Sequence, residues 1–275
     1  MKAKTLLIAA ATLAVGVISS QAQSNVYSAN IVGYYNTTIP VNGFALIANQ
    51  LDVGDGTNGI AQVFGSGLVS DPNAITNTVI YCFNTNSQTF QTLYYFTAAD
   101  IANLNGDPTV SNWQTGFYLS DYATYLNNPL PPGQAAFLYN PSQSAVTATV
   151  VGTVPQKTNV TTIYPGYNLY GVAAPVSTNL CSPLINFQGS SDPNAITNDL
   201  LYVWSPSSQT FQTLNYFTAT DIANLNGDPT VSNWQTGFYL SDYSTLIDVT
   251  PSAGSAFFIF HPGSGAETWT NTFSF

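Results

Sequence analysis

Apolar and polar positions alternate through most of this chain, and clusters of Asn, Gly, Pro, Ser and Thr interrupt the alternation at short intervals. That period-two pattern predicts strands. Residues 79–83 and 90–96 are β-branched and aromatic runs separated by the turn-forming stretch Asn-Thr-Asn-Ser-Gln-Thr, which predicts a hairpin. Further strands are expected at 29–38, 44–48, 113–119, 135–139 and 146–154, with Pro and Gly in the gaps. Only the stretch from Thr97 to Gly106 departs from the pattern. Thr97 can cap a helix, Asp100 sits three positions on to reach back as a capping box, and Asn105-Gly106 supplies a left-handed stop.

The pattern occurs twice. Shifting the chain by 121 residues lays 71–122 on 192–243 with 42 of 52 positions identical, and 100–122 matches 221–243 throughout. The period far exceeds that of a solenoid, so each copy is a domain-sized unit. The expected fold is all-β: two tandem homologous β-sandwich-like domains, 24–150 and 151–275, each with one short helical turn. The segments "SANIVGYYNTTIPVNGFALIANQL", "WQTGFYLSDY", "PPGQAAFLYNP" and "ETWTNTFSF" resemble a set of two-repeat exported all-β proteins of environmental Gram-negative bacteria. The resemblance implies an exported β product and carries no activity, because none is established for that set.

The amino-terminal residues read as an export signal. Lys2 and Lys4 precede an apolar run over 6–18, and Ser20-Gln21-Ala22 places small residues for cleavage, giving a leader over 1–22. No later stretch is apolar enough to span a bilayer. The mature chain then holds Lys157 against twelve Asp and Glu267, a formal charge of −12, and no Arg. Charged residues make up 6% of the full chain, against about a quarter in ordinary domains. Without a basic footprint, nucleic acid, phosphate ligands and anionic membranes are excluded as partners. With 45% hydrophobic residues, the chain folds.

Candidate chemistry is sparse. The segment 103–114, repeated at 224–235, has the register of a calcium loop of the dockerin type: Asn103, Asn105, Asp107, the Thr109 carbonyl and Ser111, and in the second copy Asn224, Asn226, Asp228, Thr230 and Ser232. Pro108 stands where such loops have Gly, and Gln114 cannot give the bidentate carboxylate at position twelve, so the other reading is a helix stop followed by an Asn-Gly-Asp-Pro turn. Calcium is the candidate cofactor. Trp113 beside Asp107 and Trp234 beside Asp228 suit sugar stacking, set against the simpler role of core aromatics. Cys82 and Cys181 form either an inter-repeat disulfide or two buried thiols. His261, the only His, lies in a Pro-Gly turn with no counterpart in the first copy, and one His with two Cys is too few for a zinc site.

With so few ionisable groups, the chain is expected to be a non-enzymatic secreted protein serving structure, adhesion or assembly; the strand at 29–38 either pairs within its own chain, the favoured reading, or completes a neighbouring molecule by β-addition. The alternative is a glycan-binding module, calcium-dependent or not. A second alternative is an outer-membrane β-barrel, because "AETWTNTFSF" places Trp269, Phe273 and Phe275 on one face. Acid-base work by Asp100, Asp107 or Asp121 would require two equivalent sites, one per copy.

Overall fold

The computed structural model describes residues 31–273 except Asp55, Ser66, Pro108 and Pro229. The leader over 1–22, the first residues of the strand expected at 29–38, Pro108 of the loop and terminal Phe275 lie outside the described residues.

The first repeat runs β1 (Val32–Ile39), β2 (Gly43–Ala48), α1 (Ile60–Phe64), β3 (Val79–Asn84), β4 (Thr89–Phe96), α2 (Ala98–Leu104), β5 (Gly116–Tyr118), β6 (Tyr125–Leu126), β7 (Ala135–Asn140) and β8 (Val146–Thr153). The second runs β9 (Thr158–Ile163), β10 (Gly166–Gly171), β11 (Leu200–Ser205), β12 (Thr210–Phe217), α3 (Ala219–Leu225), β13 (Gly237–Tyr239), β14 (Leu246–Ile247), β15 (Ala256–His261) and β16 (Glu267–Thr272). Each repeat is a six-stranded antiparallel sheet, ordered β2-β7-β3-β4-β5-β6 or β10-β15-β11-β12-β13-β14, with a two-stranded ribbon, β1-β8 or β9-β16. Alternation sends Ala45, Ile47, Ile80, Leu93, Ala136 and Leu138 inward, where they share a core with Tyr35, Ile39, Val146, Ala148 and Val150 of the ribbon. Two similar sandwich-like domains result.

β1 is seated on β8 along its whole length, from Val32 opposite Thr153 to Ile39 opposite Val146, so each repeat supplies its own closing strand. Among the described residues the strands fall into four sheets, and Trp269 of the last strand and Phe273 just after it are buried in the core. Among the described residues, no helix is long and apolar enough to cross a membrane.

Two local expectations change in detail. Thr97 accepts a hydrogen bond from the Asp100 backbone N–H, as a cap should, but the Thr97 N–H is satisfied by Ser70 Oγ, which in turn donates to Asp100 Oδ2. Ser191 performs the same relay for Thr218 and Asp221. The strand expected at 113–119 is cut to Gly116–Tyr118, because a 3-10 turn over Val110–Asn112 precedes it and the Trp113 N–H closes that turn on the Val110 carbonyl.

The outer faces of the two six-stranded sheets meet, and the contacts are reciprocal. Ala48 N–H donates to Gly254 O while Gly171 N–H donates to Gly133 O. Gln88 pairs its side-chain amide with the backbone of Tyr167 at 2.7 and 3.0 Å, and Gln209 pairs with that of Phe44 at the same two distances. Both glutamines have positive φ, 55° and 54°, a strained hairpin conformation that aims the amide across the interface. Gly166 permits the approach, since a Cβ there would lie 2.8 Å from Gln88 Oε1. Reciprocity of this kind is the mark of an isologous interface, here between two halves of one chain.

Candidate functional site

The duplicated loop uses its polar groups on itself. Asp107 accepts from the Thr109 N–H at 2.8 Å, from Asn112 Nδ2 and from Trp113 Nε1 at 3.0 Å, and Asp228 does the same with Thr230, Asn233 and Trp234. Asn105 and Asn226 turn their amide N–H groups to helix carbonyls and to Tyr122 O or Tyr243 O. Asn103, Thr109 and Ser111, like Asn224, Thr230 and Ser232, are exposed. Each indole is half-buried, with Trp113 tilted against Tyr118 and Trp234 against Tyr239. The structure therefore joins each expected Trp-Asp pair as a clasp that fixes the loop.

The remaining duplicated carboxylates also organise turns. Asp71 accepts from the N–H groups of Asn73, Ile75 and Thr76 and from the Thr76 hydroxyl, and Asp192 repeats every bond. The backbone N–H of Asn194 and the hydroxyl of Thr245 lead the contacts that hold Asp192 and Asp242, respectively, down to about 2. Asp71, Asp107, Asp121 and Asp228 are lowered by the same kind of bond. Since the folded values lie below the ordinary 3.8, this stabilisation is complete above that pH and disappears as pH falls toward 2. Below about pH 4 the melting temperature is expected to decline as pH falls, with a shallower decline in Asp192→Asn/Asp242→Asn, as followed by circular dichroism.

Cys82 and Cys181 are free thiols, half-buried and packed on the core, and burial pushes them up to about 11 and about 12. Neither is a ready nucleophile or thiolate ligand near neutral pH.

Across the interface Phe83, Phe90 and Phe137 touch Trp204, Phe211 and Phe258, and twelve aromatic rings in all lie on the facing sides of the two sheets. They form six symmetry-matched pairs: Phe44 with Tyr167, Tyr81 with Tyr202, Phe83 with Trp204, Phe90 with Phe211, Tyr139 with Phe260, and Phe137 with Phe258. Matched contacts have matching geometry. Phe83–Phe90 is 5.0 Å at 58° and Trp204–Phe211 is 4.8 Å at 59°, while Phe137 and Phe258 face each other at 6.1 Å on the axis. The symmetry breaks at Trp204, whose ring, with Phe44, Tyr81, Phe90 and Phe137, lines an open apolar cleft of about 340 Å³.

One cluster has no counterpart in the first repeat. His261 at the end of β15 lies 2.7 Å through Nδ1 from Asp199 Oδ1 and 4.0 Å from Glu267 Oε2, and its Nε2 lies 2.9 Å from the Gly265 carbonyl. A carbonyl only accepts, so Nε2 carries a hydrogen. Burial alone would lower His261, but the hydrogen bond and charge of Asp199, with the charge of Glu267, raise it above the ordinary imidazole value. Burial raises Asp199. With Nε2 committed to Gly265 and Ser190 Oγ donating to Glu267, the group is not a Ser-His-Asp catalytic arrangement. Asp199 is distant in sequence from 261 and 267, and what marks the three is that each ionisable residue faces a neutral one, Thr78, Asn140 and Val146, in the first copy. The chain matches no protein-family model, no curated protein and no solved structure.

Proposed function

We propose that this is an exported, non-enzymatic protein of the cell surface or extracellular space that works by assembly, presenting two copies of one rigid contact loop from a single body. The observation that carries this reading is the loop at Asp71 and Asp192. In both copies the carboxylate gathers the following N–H groups, Ala74 or Ala195 takes positive φ, and the side chain held outward is an isoleucine, Ile75 at 74% and Ile196 at 76% exposure. An aliphatic side chain fixed in water by five hydrogen bonds loses little further entropy when a partner covers it. Two such anchors gain from avidity. Strand exchange is the less favoured route to assembly, because β1 would first have to leave β8.

Light scattering after size exclusion tests the proposal. Self-association should increase with concentration and be lost in Ile75→Ser/Ile196→Ser, whose fold should be unchanged because both side chains are exposed. A strict monomer at every concentration removes the assembly reading.

The aromatic cleft favours glycan binding as a second reading, since ring faces stack on the apolar faces of sugars. A glycan array probed with the wild type, Trp204→Ala and Trp113→Ala/Trp234→Ala, with and without EDTA, distinguishes a cleft site from a calcium-dependent loop site. No signal in any arm rejects both.

A further inference from the structure

The geometry points to a transition-metal site, of the kind that takes zinc, built by Asp199, His261 and Glu267. Three donor atoms of mixed type, one imidazole nitrogen and two carboxylate oxygens, lie within 4.8 Å of one another.

Position-by-position comparison of the two repeats shows that the fold does not require these residues. In the first repeat, Asn140 Nδ2 donates to Ser144 O, as His261 Nε2 meets Gly265 O 121 positions later. Thr78 Oγ1 accepts the Val69 N–H, as Asp199 Oδ2 accepts the Ser190 N–H. The same local bonds are thus made by neutral side chains in one copy and by metal-ligating ones in the other. Two further differences make room. Gly189 replaces Leu68 and Gly263 replaces Ser142, and a Cβ on either glycine would come within 2.4 Å of Asp199 Oδ2 or 2.5 Å of His261 Nε2. Five positions, at 189, 199 and within 261–267, differ together, and all five converge on one spot.

The outer atoms of all three side chains are already tied. His261 Nε2 donates to Gly265 O, Asp199 Oδ2 accepts from the Ser190 N–H, and Glu267 Oε1 accepts from Ser190 Oγ. Nδ1, Oδ1 and Oε2 are left facing each other, which is how an outer shell orients metal ligands and fixes a histidine tautomer. Zinc ligands at about 2.0–2.2 Å from the metal stand roughly 3.3 Å apart. The 2.7 and 4.0 Å separations from His261 Nδ1 lie on either side of that value and all three donors lie within 4.8 Å of one another, so side-chain shifts of about an ångström would bring them to ligand spacing. Asp199 and His261 are buried, whereas the Glu267 side chain is 33% exposed and opens the site to solvent. Charge gives the same answer. Two carboxylates meet one imidazole in a chain whose only lysine after the leader is Lys157, and a divalent cation balances both carboxylates once the Nδ1 proton leaves to solvent.

The test is titration of the purified protein with zinc against a chromophoric chelator, together with the absorption spectrum of the cobalt(II) form. One metal per chain is expected. His261→Asn, which restores the residue of the first repeat and should fold normally, is expected to weaken binding by roughly 100-fold or more, and Ser190→Ala by roughly 10-fold. Circular dichroism confirms that both variants are folded. Absence of stoichiometric binding by the folded wild type, equal affinity in His261→Asn, or a thiolate charge-transfer band in the cobalt spectrum each overturns the site.

Discussion

Replacing Trp269 by alanine is expected to lower stability by about 3 to 5 kcal/mol, the largest loss for any single substitution in the second repeat. Its side chain is completely buried on β16, stacks near Phe187 at 5.5 Å and Phe257 at 6.2 Å, and donates Nε1–H to the Ile185 carbonyl at 2.9 Å. Truncation both opens a cavity and orphans that buried carbonyl. The first repeat carries Ala148 at this position, which makes alanine look harmless by analogy. It is not, because the space is filled differently in the two copies. Helix α1 contributes Ile60, Val63 and Phe64 to the first core, whereas the corresponding segment of the second is a turn holding Leu180, Ile185 and Phe187 around the indole. Urea denaturation read by far-ultraviolet circular dichroism should show the loss. A change below about 1 kcal/mol would mean that the turn collapses into the vacated volume.

This difference between the copies also explains what was legible in the sequence. Strands β3, β4, β7 and β8 and helix α2 follow from alternation and from local capping, both of which are short-range signals. Helix α1 is five residues with no side-chain cap, so nothing local announces it. Proximity in sequence sets Trp113 beside Asp107, but it cannot show that the carboxylate is spent on the indole N–H. The aromatic alternation of Tyr81, Phe83, Phe137 and Tyr139 reads as strand pattern, and it does not say that the outward face is covered by the other repeat. The Asp199–His261–Glu267 cluster depends on pairing β11 with β15 and on the turn that brings β16 alongside, which no local pattern encodes. The signal that could have found it was the repeat itself, because ionisable residues that break an otherwise faithful duplication mark the positions where the two copies differ in chemistry.

The inter-repeat contact should be essential to cooperative unfolding. Phe137 and Phe258 sit on the axis of the twelve-ring cluster, each touching rings of both sheets. Phe137 packs edge-on to Trp204 and Phe211, and Phe258 packs edge-on to Phe83 and Phe90. Phe258→Ala is expected to cost about 3 kcal/mol, and the half-buried Phe137 somewhat less, as large aromatic truncations do. Because the two rings contact each other and share neighbours, the double substitution should depart from additivity by about 0.5 kcal/mol or more. Its larger effect is on coupling. Each repeat has its own ribbon, so once the axis is hollowed the hydrogen bonds left across the interface are the Gln88 and Gln209 amide pairs, the Gly254 N–H to Gln50 Oε1 bond and one backbone bond on each side. Hydrogen bonds of that kind contribute about 1 kcal/mol each, too little to force two domains to melt together. Scanning calorimetry should therefore show one transition for the wild type and two for Phe137→Ala/Phe258→Ala, and adding Trp269→Ala to that double variant should shift only the transition of the second repeat. A double variant that still melts in a single step, with a calorimetric enthalpy equal to the van't Hoff value, would show that the two cores are joined by more than the aromatic face.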